Sequence, residues 1–299
     1  MSSWQSLAPM PGGRLNLCLA AAPSGLLYVA GGYNFPPPDY MASAISYNTS
    51  ADKWSDALPS MSTNRDSFGC ATAGNHVYAV AGESGDYPFT LASIERLDLE
   101  HPSRGWVVLD AGLSQARQGH GVAALDGVVY AAGGIDAYAN VLASVEAING
   151  TDVLPMPSML EPRYYFGFAA LGGRLFAAGG CGPGVGPVNV LSSVEAFDGR
   201  VWRSLPPLPA PRARMAAAAT ASALFLLGGC PARRNATSDP CDSLLDSVLR
   251  FDDARNSWTQ APSLPRPNAW LSAAALGDSV YAVGGGLSYG RNETYRLDY

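Results

Sequence analysis

Arg14, Arg65, Arg117, Arg163 and Arg212 each stand a few residues ahead of a run of small apolar residues: "CLAAA", "GCATA", "GVAAL", "GFAAL" and "MAAAAT". A sixth such run, "LSAAAL", has Asn268 at the matching place, and Arg214 follows Arg212 by two residues. A guanidinium is planar, permanently charged and able to hold a carboxylate or phosphate through two parallel hydrogen bonds. Two chemistries fit the spacing. Each arginine can pair within the chain, with Asp66, Glu161, Glu95, Glu146 or Glu195, or pack its stem on a neighbour. Alternatively, several converge on an acidic ligand. Gathering like charges at one place is unfavourable without a counter-ion, so the expectation is a ligand site built from these arginines.

Other side chains that could do chemistry are sparse. Copper needs convergent histidines, and the chain has only His76, His101 and His120, in three different segments. No Asp/Glu/His cluster suited to iron is evident, so no metal or cofactor is expected. Of the five cysteines, Cys18 and Cys70 fall in small-residue runs and read as core positions. Cys230 and Cys241 bracket "CPARRNATSDPC", and whether they are bonded is left open by the sequence. A zinc site from these and Cys181 lacks a nearby histidine. The odd, scattered count favours a reducing compartment.

What positions these residues is a repeat. "LYVAGG", "VYAVAG", "VYAAGG", "LFAAGG", "LFLLGG" and "VYAVGG" end at Gly32, Gly82, Gly134, Gly180, Gly229 and Gly285, spaced by 50, 52, 46, 49 and 56 residues. A period of about 50 residues is that of propeller blades of the kelch type. Trp4, Trp54, Trp106, Trp202 and Trp258 recur in phase, with Val153 in the tryptophan position of the third unit, whose outer strand should be the weakest. From Arg163 onward the unit splits into "FGFAAL", "RLFAAGG", "SSVEAFD" and "VWRSL", four short strands a to d bounded by turn residues. Small residues in strand a suit the crowded position nearest the axis. The chain starts on a strand d, "WQSLAP", and ends on a strand c, "TYRLDY", so the amino-terminal strand should complete the last blade.

The expectation is therefore an all-β, six-bladed β-propeller of four-stranded antiparallel blades. Residues 1–299 form one unit with blades near 14–58, 65–109, 117–157, 163–208, 212–264 and 266–299 plus 1–9. The a–b and c–d turns emerge on one face and the longer b–c and d–a connections on the other, where long loops on a rigid scaffold carry binding. Tyr33, Phe35, Tyr40, Tyr87, Phe89, Tyr138, Tyr164, Tyr165, Trp270 and Tyr289 share that second face with the arginines. Tyrosine and tryptophan dominate interface hot spots.

The motif set, a glycine pair, then "SVE" with an aromatic and Asp, then Trp, then "LPxxR", resembles kelch-repeat propellers over the whole length. Phrases such as "SSVEAFDGRVWRSLPPLPAPR" are most similar to the propeller domain of Kelch-like (BTB-BACK-kelch) substrate adaptors of cullin ligases. The resemblance implies a protein-interaction module. In some such propellers, arginines at matching positions grip acidic peptide motifs. That implication reaches Arg14, Arg65, Arg117, Arg163 and Arg212, and Arg214 in the second register. With Tyr165, Trp270, Tyr33, Tyr87 and Tyr138 they form the expected ligand-binding set. Kelch propellers also include metal-free sialic acid mutarotases, so a sugar-binding enzyme is the alternative, with Glu83, Asp86, Asp136 and Glu161 as acid/base candidates.

A formal charge of −6 and a pI of about 5.0 argue against nucleic acid as partner. No apolar run is long enough to span a membrane, and no secretory leader is visible, so a cytoplasmic location is expected. The sequons at Asn48, Asn149, Asn235 and Asn292 read as chance occurrences in polar turns.

Overall fold

The computed structural model describes residues 3–34, 39–184, 189–231, 241, 243–287 and 289–299. Phe35 and the sequon at Asn235 lie outside the described residues. Strands a to d of blade 1 are Cys18–Ala21, Leu26–Ala30, Ala44–Asn48 and Lys53–Trp54; those of blade 2 are Gly69–Ala73, His76–Glu83, Thr90–Asp98 and Trp106–Val108. Blade 3 has Gly121–Leu125, Val128–Ala132, Val145–Asn149 and Asp152–Met156, and blade 4 has Gly167–Leu171, Arg174–Ala178, Val194–Phe197 and Trp202–Leu205. Blade 5 has Ala216–Ala219, Ala223–Leu227, Val248–Asp252 and Ser257–Ala261. Blade 6 has Leu271–Leu276, Ser279–Gly284 and Thr294–Asp298, and takes Trp4–Ser6 as its strand d.

The ring closes as the sequence predicts. Trp4 pairs with Leu297, Gln5 with Arg296 and Ser6 with Tyr295 in antiparallel register. The a strands lie side by side around the axis, blade 1 meeting both blade 2 and blade 6. Crowding there explains the small residues: a Cβ on Gly121 would lie 2.4 Å from Cβ of Phe168.

Farther out, apolar side chains of adjacent blades interdigitate, as where Tyr47 and Trp54 pack with Tyr281 and Val283. The tryptophans also carry a polar tie. The indole nitrogens of Trp4, Trp54, Trp202 and Trp258 donate to the carbonyls of Pro262, Ala8, Pro157 and Pro206 of the preceding blade, at 2.8 to 3.0 Å. Blade 3, with Val153, has no indole to give, yet its strand d pairs over five residues, Asp152 to Met156. In blade 1 only Tyr47↔Trp54 and Asn48↔Lys53 pair within the c–d ladder. The predicted weak outer strand is thus not seen in the pairing, because backbone bonds do not need the tryptophan.

The glycine pairs and the arginines form one connection. The second residue of each pair (Gly32, Gly82, Gly134, Gly180, Gly229, Gly285) donates its N–H to the carbonyl of Arg65, Arg117, Arg163, Arg212, Asn268 or Arg14 of the next blade, at 2.8 to 2.9 Å. The first residue offers its carbonyl to the arginine of its own blade: Gly31 to Arg14, Ala81 to Arg65, Gly133 to Arg117, Gly179 to Arg163 and Gly228 to Arg212. Asn268 makes the same bond to Gly284 in blade 6. Gly133 shows why this turn selects glycine: its φ is +62° and a Cβ would lie 2.5 Å from the Arg163 oxygen. Blade 2 places Ala81 there at φ 52°, a conformation costing a non-glycine residue about 1 kcal/mol.

Each guanidinium then reaches strand c of its own blade. Arg65, Arg117 and Arg163 donate to both the carbonyl and the hydroxyl of Ser93, Ser144 and Ser193. They pair with Glu95, Glu146 and Glu195 at 3.0, 2.7 and 2.8 Å. Those carboxylates also accept backbone N–H groups from the connection into strand a, at Ser62, Ser114 and Leu160. Arg14 and Arg212 reach the Ser43 and Ser247 carbonyls, with Ile45 and Leu249 where blades 2, 3 and 4 have glutamate. Burial pushes the Arg212 guanidinium down to about 10, still charged at neutral pH.

Four of the five cysteines are bonded. Cys230 pairs with Cys241, a bond that the sequence left open, and Cys18 pairs with Cys70. The second bond corrects the reading of Cys18 and Cys70 as plain core residues: neighbouring a strands run so close that blades 1 and 2 are cross-linked there.

Arg163→Ala should lower the unfolding free energy by about 3–5 kcal/mol, since it strands Glu195 in the core. Arg163→Met with Glu195→Leu, which copies the apolar strand-c position of blade 5, should lose clearly less. Urea unfolding of both variants checks this; equal losses would show that the buried pair is not what matters.

Candidate functional site

The arginines expected at the mouth point elsewhere. Arg65, Arg117 and Arg163 are 0, 0 and 1% exposed, and Arg14 and Arg212 are also buried. Their guanidiniums lie inside the blade wall on the carbonyls and carboxylates described above, so the ligand set predicted around Arg14, Arg65, Arg117, Arg163 and Arg212 does not agree with the geometry. The physical reason is local. An arginine preceding strand a lies beside the b–c edge of its own blade, where orphaned carbonyls and a strand-c glutamate await a donor.

The axial positions belong to the residues two places farther on: Asn16, Ser67, Gly119, Tyr165, Arg214 and Trp270, all lining the central cavity, which has about 170 Å³ of open space. All six have φ between +48° and +60°. Each chain turns through a left-handed residue as it bends into strand a, and the turns are joined around the axis. Asn16 donates its N–H to Trp270, Gly119 to Ser67, Tyr165 to Gly119, Arg214 to Tyr165 and Trp270 to Arg214, at 2.7 to 3.1 Å. Five non-glycine residues in this conformation are a strained set held at one place by the scaffold.

The side chains of this register are not equivalent. Arg214 lies between the rings of Tyr165 and Trp270, 5.2 and 5.0 Å from their centroids, a cation–π sandwich that fixes its orientation. Gly119 leaves room for the Tyr165 ring: a Cβ there would lie 2.9 Å from it. Tyr165 thereby crosses blade 3, and its hydroxyl comes within 3.3 Å of the Ser67 hydroxyl in blade 2. Burial raises its phenol to about 12, so it remains a neutral hydroxyl. Of the eleven residues predicted, these three, Arg214, Tyr165 and Trp270, are the ones the structure brings together at the cavity.

Beside Ser67 lies a carboxyl pair. Asp66 and Glu83 face each other across an antiparallel bridge, each N–H donating to the other's carbonyl at 2.8 Å. Asp66 is 6% exposed and its Oδ1 has no hydrogen-bond partner. Desolvation pushes the Asp66 carboxyl up to about 7; Ser67 and Asn16 pull it down, and the Glu83 charge adds to the rise. Burial also raises Glu83, against whose carboxylate the Tyr40 hydroxyl lies. The sequence named Glu83 among the acid/base candidates and Asp66 among the carboxylates with which an arginine could pair. The signal available was that, among residues following the arginine or Asn268, only blade 2 has an acid, and that it also has one after its glycine pair.

His120 is the other polar residue inside. The matching positions are Leu17, Phe68, Phe166, Met215 and Leu271; His120 is 7% exposed and neither ring nitrogen has a hydrogen-bond partner. It lies just before strand a. Desolvation lowers it to about 3, helped by the charges of Arg117 and Arg65 and opposed by the Val80 carbonyl, which faces the ring outside hydrogen-bonding geometry.

The remaining predicted residues stand on the b–c connections. Tyr87 and Tyr138 are both 87% exposed, and Tyr87 packs edge-on with Phe89. Tyr33 is half-buried with its ring against Tyr40. The other acid/base candidates are held locally: Asp86 by Asn64, Asp136 by Gln115, Asn140 and the Tyr138 N–H, and Glu161 by Ser193 and Arg163. Among the described residues the group with metal-ligand spacing is Asp98, Glu100 and His101, at the c–d turn of blade 2 on the opposite face. No helix among the described residues is long and apolar enough to cross a membrane.

Two buried titrating groups give opposite pH signatures. Asp66 binds its proton more tightly folded than unfolded, stabilising the fold below about pH 4 and losing that contribution progressively up to about pH 7. Asp66→Asn should therefore gain stability over wild type at pH 8 and little at pH 4. His120 binds its proton less tightly folded, so its neutral form sustains stability above pH 6.5 that is lost as pH falls toward 3. His120→Leu should gain most at pH 4. Unfolding at both pH values checks both variants, and gains independent of pH would refute the assignments.

The Kelch motif profile matches residues 14–61, 116–149 and 162–209, which fall on blades 1, 3 and 4. Kelch repeat and BTB domain-containing protein 1 of Cowpox virus (strain Brighton Red) is 29% identical over 111 residues, 37% of this chain and 19% of that protein. The Camelpox virus (strain CMS) protein of the same name is 28% identical over the same length. The chain thus matches about a fifth of the length of these curated relatives. The solved structure of YjhT has a TM-score of 0.79 with 13% identity, covering 98% of this chain and 95% of that one, a likeness of fold. With Kelch motifs in register with its blades and a ring of six four-stranded sheets, the chain is a kelch-repeat six-bladed β-propeller.

Proposed function

We propose that the protein is a binding module that docks a segment of a partner protein across the face bearing the b–c and d–a connections, with an acidic group of that segment meeting Arg214 at the channel mouth. The observation that carries the reading is Arg214 itself. It is the one cation in the six-residue axial register, and its guanidinium carbon lies over the rings of both Tyr165 and Trp270. A guanidinium held against two aromatic rings is a positive charge kept at a fixed place, which suits it to meet an acidic group. Tyr87, Phe89, Tyr138 and Tyr289, all strongly exposed on b–c connections of the same face, supply apolar contact area around that charge.

A second reading is a metal-free enzyme acting on a small sugar-like ligand in the channel. One observation favours it: Asp66, a buried carboxyl titrating near neutral pH with an unpartnered oxygen, adjoins the Ser67 and Tyr165 hydroxyls. That is the equipment for moving a proton to or from a bound hydroxyl.

The two readings separate in one experiment. Affinity capture with wild type, Arg214→Ala and a Tyr87/Tyr138/Tyr289→Ser triple variant should show a partner that wild type retains and both variants lose. The purified pair should bind on the order of thirtyfold more weakly for Arg214→Ala. Equal capture by all three would remove the site from this face. No captured partner, together with saturable thermal stabilisation by small acidic sugars, would favour the enzyme.

A further inference from the structure

Cys18 and Cys70 are exceptions to the repeat. No other blade has a cysteine at either of their registers in strand a, so the ring does not need one there. Yet the two exceptions, from different blades, meet: their Cα atoms are 5.6 Å apart and their sulfurs are bonded across neighbouring a strands. Cys230 and Cys241 are bonded as well, which puts four of the five cysteines in disulfides. Each such bond is made as two thiols pass two electrons and two protons to a disulfide-bearing oxidant. Bonds of this kind form and persist in the secretory compartments and outside the cell. The pairing of the cysteines, rather than their odd count, is what reports on the compartment.

In such a compartment two of the sequons acquire a chemistry they lack elsewhere. Asn48 and Asn149 are both exposed, at the c–d turns of blades 1 and 3. In Asn48-Thr49-Ser50 the asparagine Oδ1 accepts from the Ser50 N–H, the Ser50 hydroxyl and the Ala51 N–H, at 3.1, 2.8 and 3.0 Å. Its Nδ2, the atom that carries a glycan, donates to nothing among the described residues. Asn149-Gly150-Thr151 is exposed at all three positions. A sugar on either nitrogen therefore points into solvent and breaks no internal contact. Asn292 differs, because its sequon partner Thr294 is 1% exposed, and it takes no part in the inference.

We propose that the chain matures in an oxidising secretory compartment and carries N-linked glycans at Asn48 and Asn149. The donor is a lipid-diphosphate-linked oligosaccharide. The side-chain amide nitrogen attacks C1 of its first sugar, the N–C1 bond forms as the C1–O bond breaks, the nitrogen gives up one proton, and the lipid diphosphate leaves. The c–d turns stand on the face opposite the b–c and d–a connections. Hydrated sugar thus covers one side of the disc and leaves the channel mouth open to partners. The inference does not depend on the docking reading above, which concerns the other face.

The test uses the full chain isolated from its own cells, denatured in the presence of an alkylating agent and mapped by peptide mass. Cys18, Cys70, Cys230 and Cys241 should stay unmodified until a reductant is added. The peptides bearing Asn48 and Asn149 should each lose the mass of a glycan on treatment with peptide-N-glycosidase. Asn48→Gln and Asn149→Gln, expressed in the same cells, should each remove one glycan and leave the other. Ser50→Ala and Thr151→Ala, which break the sequons but keep the asparagines, should do the same and guard against a misfolded turn. Alkylation of those four cysteines without reductant overturns the oxidising compartment and with it the proposal. Intact disulfides with no glycan at either asparagine overturn the modification sites.

Discussion

The structure depends on a guanidinium buried in the blade wall. In a propeller, each strand a must leave the preceding blade, turn sharply and run along the axis, which exposes carbonyls at a place that water cannot easily reach. One arginine answers this by donating to the glycine-turn carbonyl of strand b, to a serine on strand c and, in blades 2, 3 and 4, to a strand-c glutamate. Its own carbonyl receives the N–H of the preceding blade's second glycine-pair residue. The same residue thus satisfies its blade internally and ties it to its neighbour. Lysine, with a single ammonium on a flexible stem, does not reproduce that planar set of donors.

Fixing the arginine position fixes what comes next. Two residues on, the backbone is left-handed in every blade, and the amide bonds between these turns form a collar around the axis. A collar made of backbone is indifferent to side chain, which frees six positions to differ in chemistry while staying in place. The side chains of this register keep fixed places because the backbone that holds them does not depend on what they are.

The fold was legible because its determinants repeat. Glycine pairs, tryptophans and small-residue runs each recur in phase, and even the closing strand could be read from the segments at the two ends. The site was half legible, and the failure has a definite cause. Repetition of arginine signalled importance, but the property repeated in every blade is the one that every blade needs, which is structural. Nothing in the sequence distance between Arg163 and Glu195 shows that they meet at 2.8 Å, since that follows from the spacing of strands a and c across the blade. The link between Cys18 and Cys70 was hidden similarly, by the closeness of strands from different repeats.

That distinction turns the repeats into an instrument for locating function. In a ring of near-equivalent units, a ligand that is not itself sixfold can be recognised only by residues that break the pattern. Here the breaks converge: Asp66 and Glu83 in blade 2, His120 and Gly119 in blade 3, Tyr165 in blade 4 and Arg214 in blade 5. They are also connected, since the missing side chain of Gly119 is what lets Tyr165 reach Ser67, joining the cationic side of the mouth to the acidic one. A scaffold requirement would have spread these exceptions evenly or repeated them. They run over four adjacent blades, from the acids of blade 2 beside the channel to the cation of blade 5 within it, an arrangement suited to orienting an asymmetric ligand.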